Sequence, residues 1–490
     1  MSKKENIQAE VLGDRYVPVE KEPGFFKAAF IALIKGDWGV KLSAIIMGMG
    51  YFARKQFIKG LLMTIVQIGL IAFIINGCTT YLVDFTTLGT QQWQEPQIDW
   101  DTMQQYQPPY DNSFTILLFS VITIIAIIGF VVIWFLNLRG VYKLQLQAQS
   151  GKKVNNFFQD IKMYLNEKFH ITLLSLPVAG VVVFTVVPLI ILIAVAFTNY
   201  DTTHQLPKNL LDWVGFDNFT KLFEMSQQSS FGYSFKEVLI WTLVWAFFAT
   251  FSNYFLGIML AKFLLNKKTK LAGMWRTIFV VTIAVPQFVT LMIVRNFFAD
   301  SGILNTMLSD AGVTGFLKDM GLIASHIDHV PFLSDPIWAK VSVIVINIWV
   351  GVPYQMLIAT GVLLNIPADM QESAKIDGAT EWQSFWKITM PYMFAVTGPT
   401  LVTDFVRNIN NFNVIYLLTQ DVYVTTNQQL SLSQAKEVDL LVTWLFRLTQ
   451  ENNNYKMASV IGIMVFIICA AFTLVSFRFL TKGDKEKEFA

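Results

Sequence analysis

Long apolar runs separated by polar stretches organise this chain. A helix needs about 20 apolar residues to cross a bilayer. Eight runs reach that length: 57–83, 115–136, 171–197, 238–265, 278–298, 338–364, 393–418 and 458–479. The pattern predicts an all-α integral membrane protein with about eight transmembrane helices. Residues 26–52 differ, because Lys27, Lys35, Asp37 and Lys41 interrupt the apolar positions. They predict an interfacial or cytosolic amphipathic segment, with a half-inserted hairpin as the alternative. The chain then divides into four parts. Residues 1–56 are a tail with the amphipathic segment. Residues 57–165 hold two additional N-terminal spans and their loops. Residues 166–480 form a six-helix core that includes the interior loop 365–391. Residues 481–490 are a C-terminal tail.

The loops set the orientation. Residues 84–113 contain no Lys or Arg and five acids, and residues 299–337 contain one Lys and five Asp. Residues 137–170 contain six Lys/Arg, and residues 266–277 contain four and no acid. Cytoplasmic loops carry the positive excess. The alternation predicts a multi-pass protein of the cell membrane with both termini in the cytoplasm and loop 365–391 in the cytosol. Composition agrees with the membrane reading. The 490 residues are 54% hydrophobic and 15% charged, where soluble proteins carry about 25% charged residues. A net charge of +2 gives no case for a nucleic-acid partner. Cys78 and Cys469, the two cysteines, lie in separate apolar runs, which argues against a disulfide framework. The piece 91–110, rich in Pro and Gln, reads as an external loop rather than a domain.

Loop 365–391 contains the stretch ESAKIDGATEWQSFWKITMP. Pro367 suits the first turn of a helix, expected over 368–377. Gly378 suits the position just past its end. Thr380 with Gln383 is a capping box for a second helix. Trp382, Phe385, Trp386 and Thr389 then fall on one face, and Pro391 marks an end or a kink. By pattern this is either a connector whose aromatic face packs on the protein's own spans or a docking element for a cytosolic partner. The spacing Glu372-Ser373-Ala374, three residues, Gly378, nine residues, Ile388-x-Met390-Pro391 resembles the EAA motif of ABC-importer permeases, E-A-A-x3-G-x9-I-x-L-P. It departs from that motif at Ser373 and Met390, both modest changes of size. The resemblance implies a type I ABC importer permease fold with a cytosolic coupling-helix loop. It also implies that Glu372, Ser373, Ala374, Gly378, Ile388 and Pro391 couple the chain to an ATPase subunit.

Residues 196–219, 347–354 (NIWVGVPY) and 404–419 (DFVRNINNFNVIYLLT) are similar to the corresponding segments of MalF-like maltose/maltodextrin permeases. The resemblance covers roughly 165–480 and implies an oligosaccharide substrate of the maltodextrin type. The implied partners are a second, MalG-like permease, a MalK-like ATPase dimer that binds ATP and magnesium, and an extracellular sugar-binding protein, all working in a lipid bilayer. No cofactor is expected in this chain. Loop 198–237 is short, which fits a lipid-anchored binding protein rather than docking through a large external domain. Sugar contacts are implied at Ile283, Gln287, Asn347, Val350, Gly351, Arg407, Asn408 and Asn411. Ile283, Gln287 and Arg407 differ in type from the maltose-permease pattern, so sugar length and linkage stay open.

The residues themselves point the same way. Polar groups at membrane depth are costly and tend to face a pathway. Asp404, Asn408 and Asn411 recur at i, i+4, i+7, and Arg407 can pair with Asp404. Asn347, Gly351 and Tyr354 share a face beside Pro353, which is expected to break the helix. Pro286 interrupts the fifth run beside Gln287 and Thr290. Amides suit sugar hydroxyls, but they also glue helices together, and both readings stand for each residue. Arg295 and Lys262, near span ends, are expected to snorkel. No P-loop or metal cluster is visible; Ser150-Gly151-Lys152-Lys153 lacks the upstream glycine. The chain therefore reads as a non-enzymatic transporter subunit driven by a partner's ATP hydrolysis. The alternatives are a permease for another oligosaccharide, an ion-coupled secondary transporter using Asp404, or a membrane scaffold. The orientation is testable by cysteine labelling in a background without Cys78 and Cys469. Thr380→Cys should react only from the cytosolic side and Gln97→Cys only from outside; the reverse pattern would overturn it.

Overall fold

A computed structural model describes residues 9–12, 15–18, 25–75, 79–151, 154–224 and 230–487. Among them, five helices are long and apolar enough to cross a membrane: Ser113–Gln149, Phe169–Val195, Ser230–Leu265, Pro336–Leu364 and Tyr455–Leu480. These coincide with five of the eight expected spans. Of the other three, the fifth and seventh are each broken into two helices, and the first is described in two pieces. The chain divides into two compact units, residues 1–194 with 203–213, and residues 195–202 with 214–490.

In the first unit the amphipathic segment forms three short helices, Phe25–Lys35, Trp38–Leu42 and Met49–Phe52. Ala32, Val40 and Tyr51 pack on Val141 of the long Ser113–Gln149 helix. Asp37 organises the segment. Its carboxylate accepts from the Val40 N–H and pairs with Arg54 at 2.7 Å, while its own N–H donates to Gln145 Oε1. Phe30, Ile34, Trp38 and Ile45 stay exposed, as an interfacial segment requires. The first expected span is described as Phe57–Phe73 and Thr79–Asp84. Cys78 falls at 76–78, outside the described residues. The piece 91–110 is not featureless: Gln97–Asp99 and Gln104–Tyr106 pair as an antiparallel hairpin.

The second unit contains the remaining elements. The fifth expected span is a pair of helices, Ala272–Ala284 and Gln287–Phe297, bent by 97°. The cause is local. Proline lacks an N–H and pushes the preceding residue out of helical geometry, and Val285 is extended at φ −78°, ψ 128°. The seventh is also two helices, Met390–Ile409 and Phe412–Thr419. There the asparagines act: Asn411 caps the second helix by accepting from the Val414 N–H at 3.4 Å. Pro353 does not break its helix, contrary to expectation, since Pro336–Leu364 runs through it. A proline frees one carbonyl, four residues earlier. A long helix buttressed by neighbours tolerates that loss.

Three buried clusters hold this unit together. Phe235, Phe405, Trp444 and Ile461 belong to one, Trp245, Leu291, Ile346 and Ile415 to the second, and Tyr254, Met356, Phe385 and Met393 to the third. Buried tryptophans need an acceptor for the indole N–H. Trp245 donates to the Asn408 carbonyl, Trp241 to that of Val438 and Trp444 to that of Ser433. The segment 419–457 is built around charged groups. Asp439 pairs with Arg447. Glu437 accepts from the Thr426 and Asn427 N–H groups and the Thr426 hydroxyl. Burial pushes the Glu437 pKa up. The neighbouring Thr425 hydroxyl and the surrounding N–H donors outweigh that effect and hold it below the usual glutamate value.

A lowered carboxylate pKa contributes stability above the unfolded pKa and loses it as pH falls through the folded value. Glu437→Gln should lower the stability of the detergent-extracted protein at neutral pH by about 1–2 kcal/mol. The gap to wild type should close on acidification below the ordinary glutamate range, as read by thermal melts. A gap that stays constant with pH would show that the charge has no such role.

Candidate functional site

The bent fifth span, the helices Ser230–Leu265 and Pro336–Leu364, and the break in the seventh span line an open cavity of about 1440 Å³. All eight residues expected to contact substrate lie on its wall: Ile283, Gln287, Asn347, Val350, Gly351, Arg407, Asn408 and Asn411. Each reaches the wall for a visible reason. Ile283 and Gln287 flank the kink at Pro286. Asn347, Val350 and Gly351 occupy one stripe of a continuous helix. Arg407, Asn408 and Asn411 sit where the seventh span comes apart. Gly351 permits a close approach of helices, because a Cβ there would lie 2.3 Å from Asn253 Nδ2.

The asparagines divide into two kinds. Asn408 is buried and engaged: its Nδ2 donates to Thr250 Oγ1 at 2.9 Å, and its Oδ1 accepts from Asn411 Nδ2 at 3.3 Å. These bonds tie helices together, so the glue reading holds for them. Asn347 is equally buried, yet its Nδ2 has no protein partner. Asn253 Oδ1 is in the same position. An unsatisfied buried polar atom costs about 1–3 kcal/mol, so two residues of the cavity wall each keep an unused polar atom, shielded from solvent in this structure. Asp404 and Arg407 form an ion pair at 2.9 Å, as expected from their spacing, and Gln355 Nε2 donates to the other Asp404 oxygen at 2.7 Å. They are the two charged side chains among the described wall residues.

The fourth span's contribution went unnoticed in the sequence, as did Gln355. Thr250, Asn253 and Gly257 recur at i, i+3, i+7, and that stripe was the available signal. Arg295 and Lys262 do more than snorkel. Arg295 pairs with Asp421 at 2.9 Å. Lys262 stands over the Phe385 ring at 4.9 Å and 3.8 Å from Glu381.

At the other end of the seventh span lies the helix pair of loop 365–391. The first helix runs Ala368–Ile376, with Pro367 as its N-cap rather than in its first turn. The Gly378 N–H donates to the Lys375 carbonyl and the Ala379 N–H to that of Ala374, which is a Schellman turn. It requires the positive φ of Gly378, +76°. Thr380 and Gln383 form the capping box of Glu381–Ser384. Residues Phe385–Thr389 are π-helical and lead into Met390–Ile409. The wider turn accommodates Pro391, which cannot donate to a helical carbonyl behind it. Glu372, Ser373, Gly378 and Pro391 are exposed, and Ala374 and Ile388 are half-buried. The aromatic face is split. Phe385 and Thr389 are buried, whereas Trp382 is 63% exposed and Trp386 44%.

Comparison with known proteins identifies the family. Residues 253–484 match the model of the binding-protein-dependent transport system inner membrane component family. The galactooligosaccharides transport system permease protein GanP of Bacillus subtilis (strain 168) is 31% identical over 447 residues, covering 91% of this chain and 98% of that one. The maltodextrin transport system permease protein MalC of Streptococcus pneumoniae serotype 4 is 30% identical over 450 residues, covering 91% and 96%. A crystal structure of a bacterial ABC transporter involved in alginate import aligns at 21% identity and a TM-score of 0.49, covering 66% of this chain and 98% of that one. The chain belongs to the family of binding-protein-dependent transport system inner membrane components, the membrane-embedded permease subunits of ABC importers.

Proposed function

We propose that this permease moves neutral oligosaccharides of the maltodextrin type through the cavity between its fourth to seventh spans. The supporting observation is the cavity wall itself. It gathers amides from four spans, and one of them, Asn347, carries a buried N–H without a protein partner. A volume of about 1440 Å³ exceeds the roughly 300–1,000 Å³ of sites for drug-sized ligands, as an oligosaccharide demands. The likeness to MalC favours maltodextrins. The likeness to GanP makes a galactose-linked oligosaccharide the second reading. The working assembly contains a second, MalG-like permease, a MalK-like ATPase pair that binds ATP and magnesium, and an extracellular sugar-binding protein. Both termini face the cytoplasm. The exposed helix pair 368–384 docks on the ATPase, with Glu372 against a basic group and the Gly378 turn fixing the angle between the helices.

Two measurements test this reading. Asn347→Leu removes a donor that no protein group uses. Sugar affinity should fall by roughly 2- to 10-fold, the value of one net hydrogen bond, while complex yield and melting temperature stay at wild-type values. Asn408→Leu should do the reverse and lower yield or melting temperature first. Normal affinity in Asn347→Leu would remove that residue from the sugar site.

At the docking element, Glu372→Lys places like charges at a contact, a change that costs several kcal/mol, roughly. Gly378→Val puts a β-branched residue at φ +76°. Both variants should insert normally and lose ATPase association or substrate-stimulated hydrolysis. Wild-type uptake in both would refute the coupling role.

A further inference from the structure

We propose that Asp404 and Gln355 make the cavity select uncharged sugars, by holding Arg407 as a charge-compensated hydrogen-bond donor. This rests on the sugar-transport reading of the cavity and adds the residues that set its preference for uncharged substrates. Asp404 is 6% exposed, and Gln355 is 8% exposed. Both carboxylate oxygens are taken, one by an Arg407 terminal nitrogen and the other by the Gln355 amide. The carboxylate is thus fixed, and its burial keeps it largely out of reach of a ligand. Arg407 is different: its side chain is 60% exposed and lines the cavity. A guanidinium has five N–H donors in a planar fork, and one nitrogen is engaged by Asp404. The remaining donors stand ready for ring or hydroxyl oxygens.

The pair sums to zero charge, and the other wall residues among those described are amides, hydroxyls and hydrophobic or aromatic groups. A neutral sugar entering gains donors without having to shed a counter-ion. A uronate faces the opposite balance. Its carboxylate would be stripped of water beside Asp404, with no net positive charge to compensate it, and an uncompensated charge at membrane depth is expensive. Asp404 and Gln355 therefore act through Arg407, as positioning residues. Their role predicts a change in charge preference, which loss of packing alone would not produce.

The test uses the complete transporter in lipid nanodiscs, without its binding protein, so that only the membrane cavity selects. The probes are radiolabelled maltotriose and β-1,4-galactotriose, each beside its form oxidised to a C6 carboxylate. Wild type should bind at least one neutral trisaccharide and bind its carboxylate form about tenfold more weakly or worse. Asp404→Asn keeps the shape and frees the Arg407 charge. It should shift the neutral-to-carboxylate ratio by about tenfold or more towards the carboxylate. Asp404→Glu should restore the wild-type ratio. Asp404→Asn/Arg407→Gln, with neither charge, should lose the gain. Should Asp404→Asn fail to assemble, Arg407→Gln supplies the converse: the bare Asp404 charge should worsen carboxylate binding by a similar factor. An assembled Asp404→Asn or Arg407→Gln variant with the wild-type ratio overturns the proposal. If wild type binds neither neutral trisaccharide, the sugar reading of the cavity fails first, and this proposal falls with it.

Discussion

A break in a membrane helix exposes N–H and C=O groups that lipid cannot satisfy, so breaks survive only where protein or a cavity receives them. The second unit of this permease is arranged around that constraint. The fifth span turns by 97° at Pro286 and the seventh comes apart at Asn410–Asn411. Residues from both breaks line the same cavity. Each break is stabilised locally, the first by proline geometry and the second by the Asn411 cap. The helices Ser230–Leu265 and Pro336–Leu364 stay continuous and supply the rigid wall against which the breaks are held. Irregular backbone and unbroken scaffold are thus parts of one arrangement.

The same constraint sorts the polar side chains. A buried amide in a membrane protein either bonds to a neighbouring helix or waits for a ligand, and residue type alone does not decide which. Asn408 and Asn347 show both outcomes on one cavity wall. Asn408 meets Thr250 and Asn411, while the Asn347 amide nitrogen meets no protein acceptor. The difference comes from the opposing helix. Thr250 offers a hydroxyl opposite Asn408, whereas Asn253, packed against Gly351, leaves its own oxygen unpaired as well. Helix-to-helix register, which depends on long-range packing, decides between glue and site.

That is also why the sequence was legible in some places and not in others. Apolar runs are a local property, and five of the eight expected spans exist as single helices. Caps and turns are local too, so Gly378, the Thr380–Gln383 box and the kink at Pro286 could be read from neighbouring residues. Pro353 misled because its effect is not local: a proline in a long, well-packed helix need not break it. The break at Asn410–Asn411 was missed because its apolar flanks continue the run, while the side-chain cap competes with the helix only in three dimensions. Eight wall residues were found through a motif resemblance joined to helical periodicity. Thr250, Asn253 and Gln355 were not, since each matters for what stands opposite it, and that pairing is invisible along the chain.

The exposed helix pair and the cavity are joined by one element. Met390–Ile409 is 20 residues long, roughly 30 Å at 1.5 Å per residue. One end emerges from the π-turn that follows Trp382, and the other carries Asp404, Arg407 and Asn408. Near its start, Phe385 and Met390 pack in one cluster with Tyr254 and Met356, and the Tyr254 hydroxyl meets Thr397 at 2.7 Å. A helix is stiff along its axis, so a displacement of the helix pair moves the far end instead of being absorbed between them. The pliable points are the π-turn at one end, Pro399 within this rod and the Asn410–Asn411 break at the other. A displacement of loop 365–391 is therefore directed towards the helix end that carries Asp404 and Arg407.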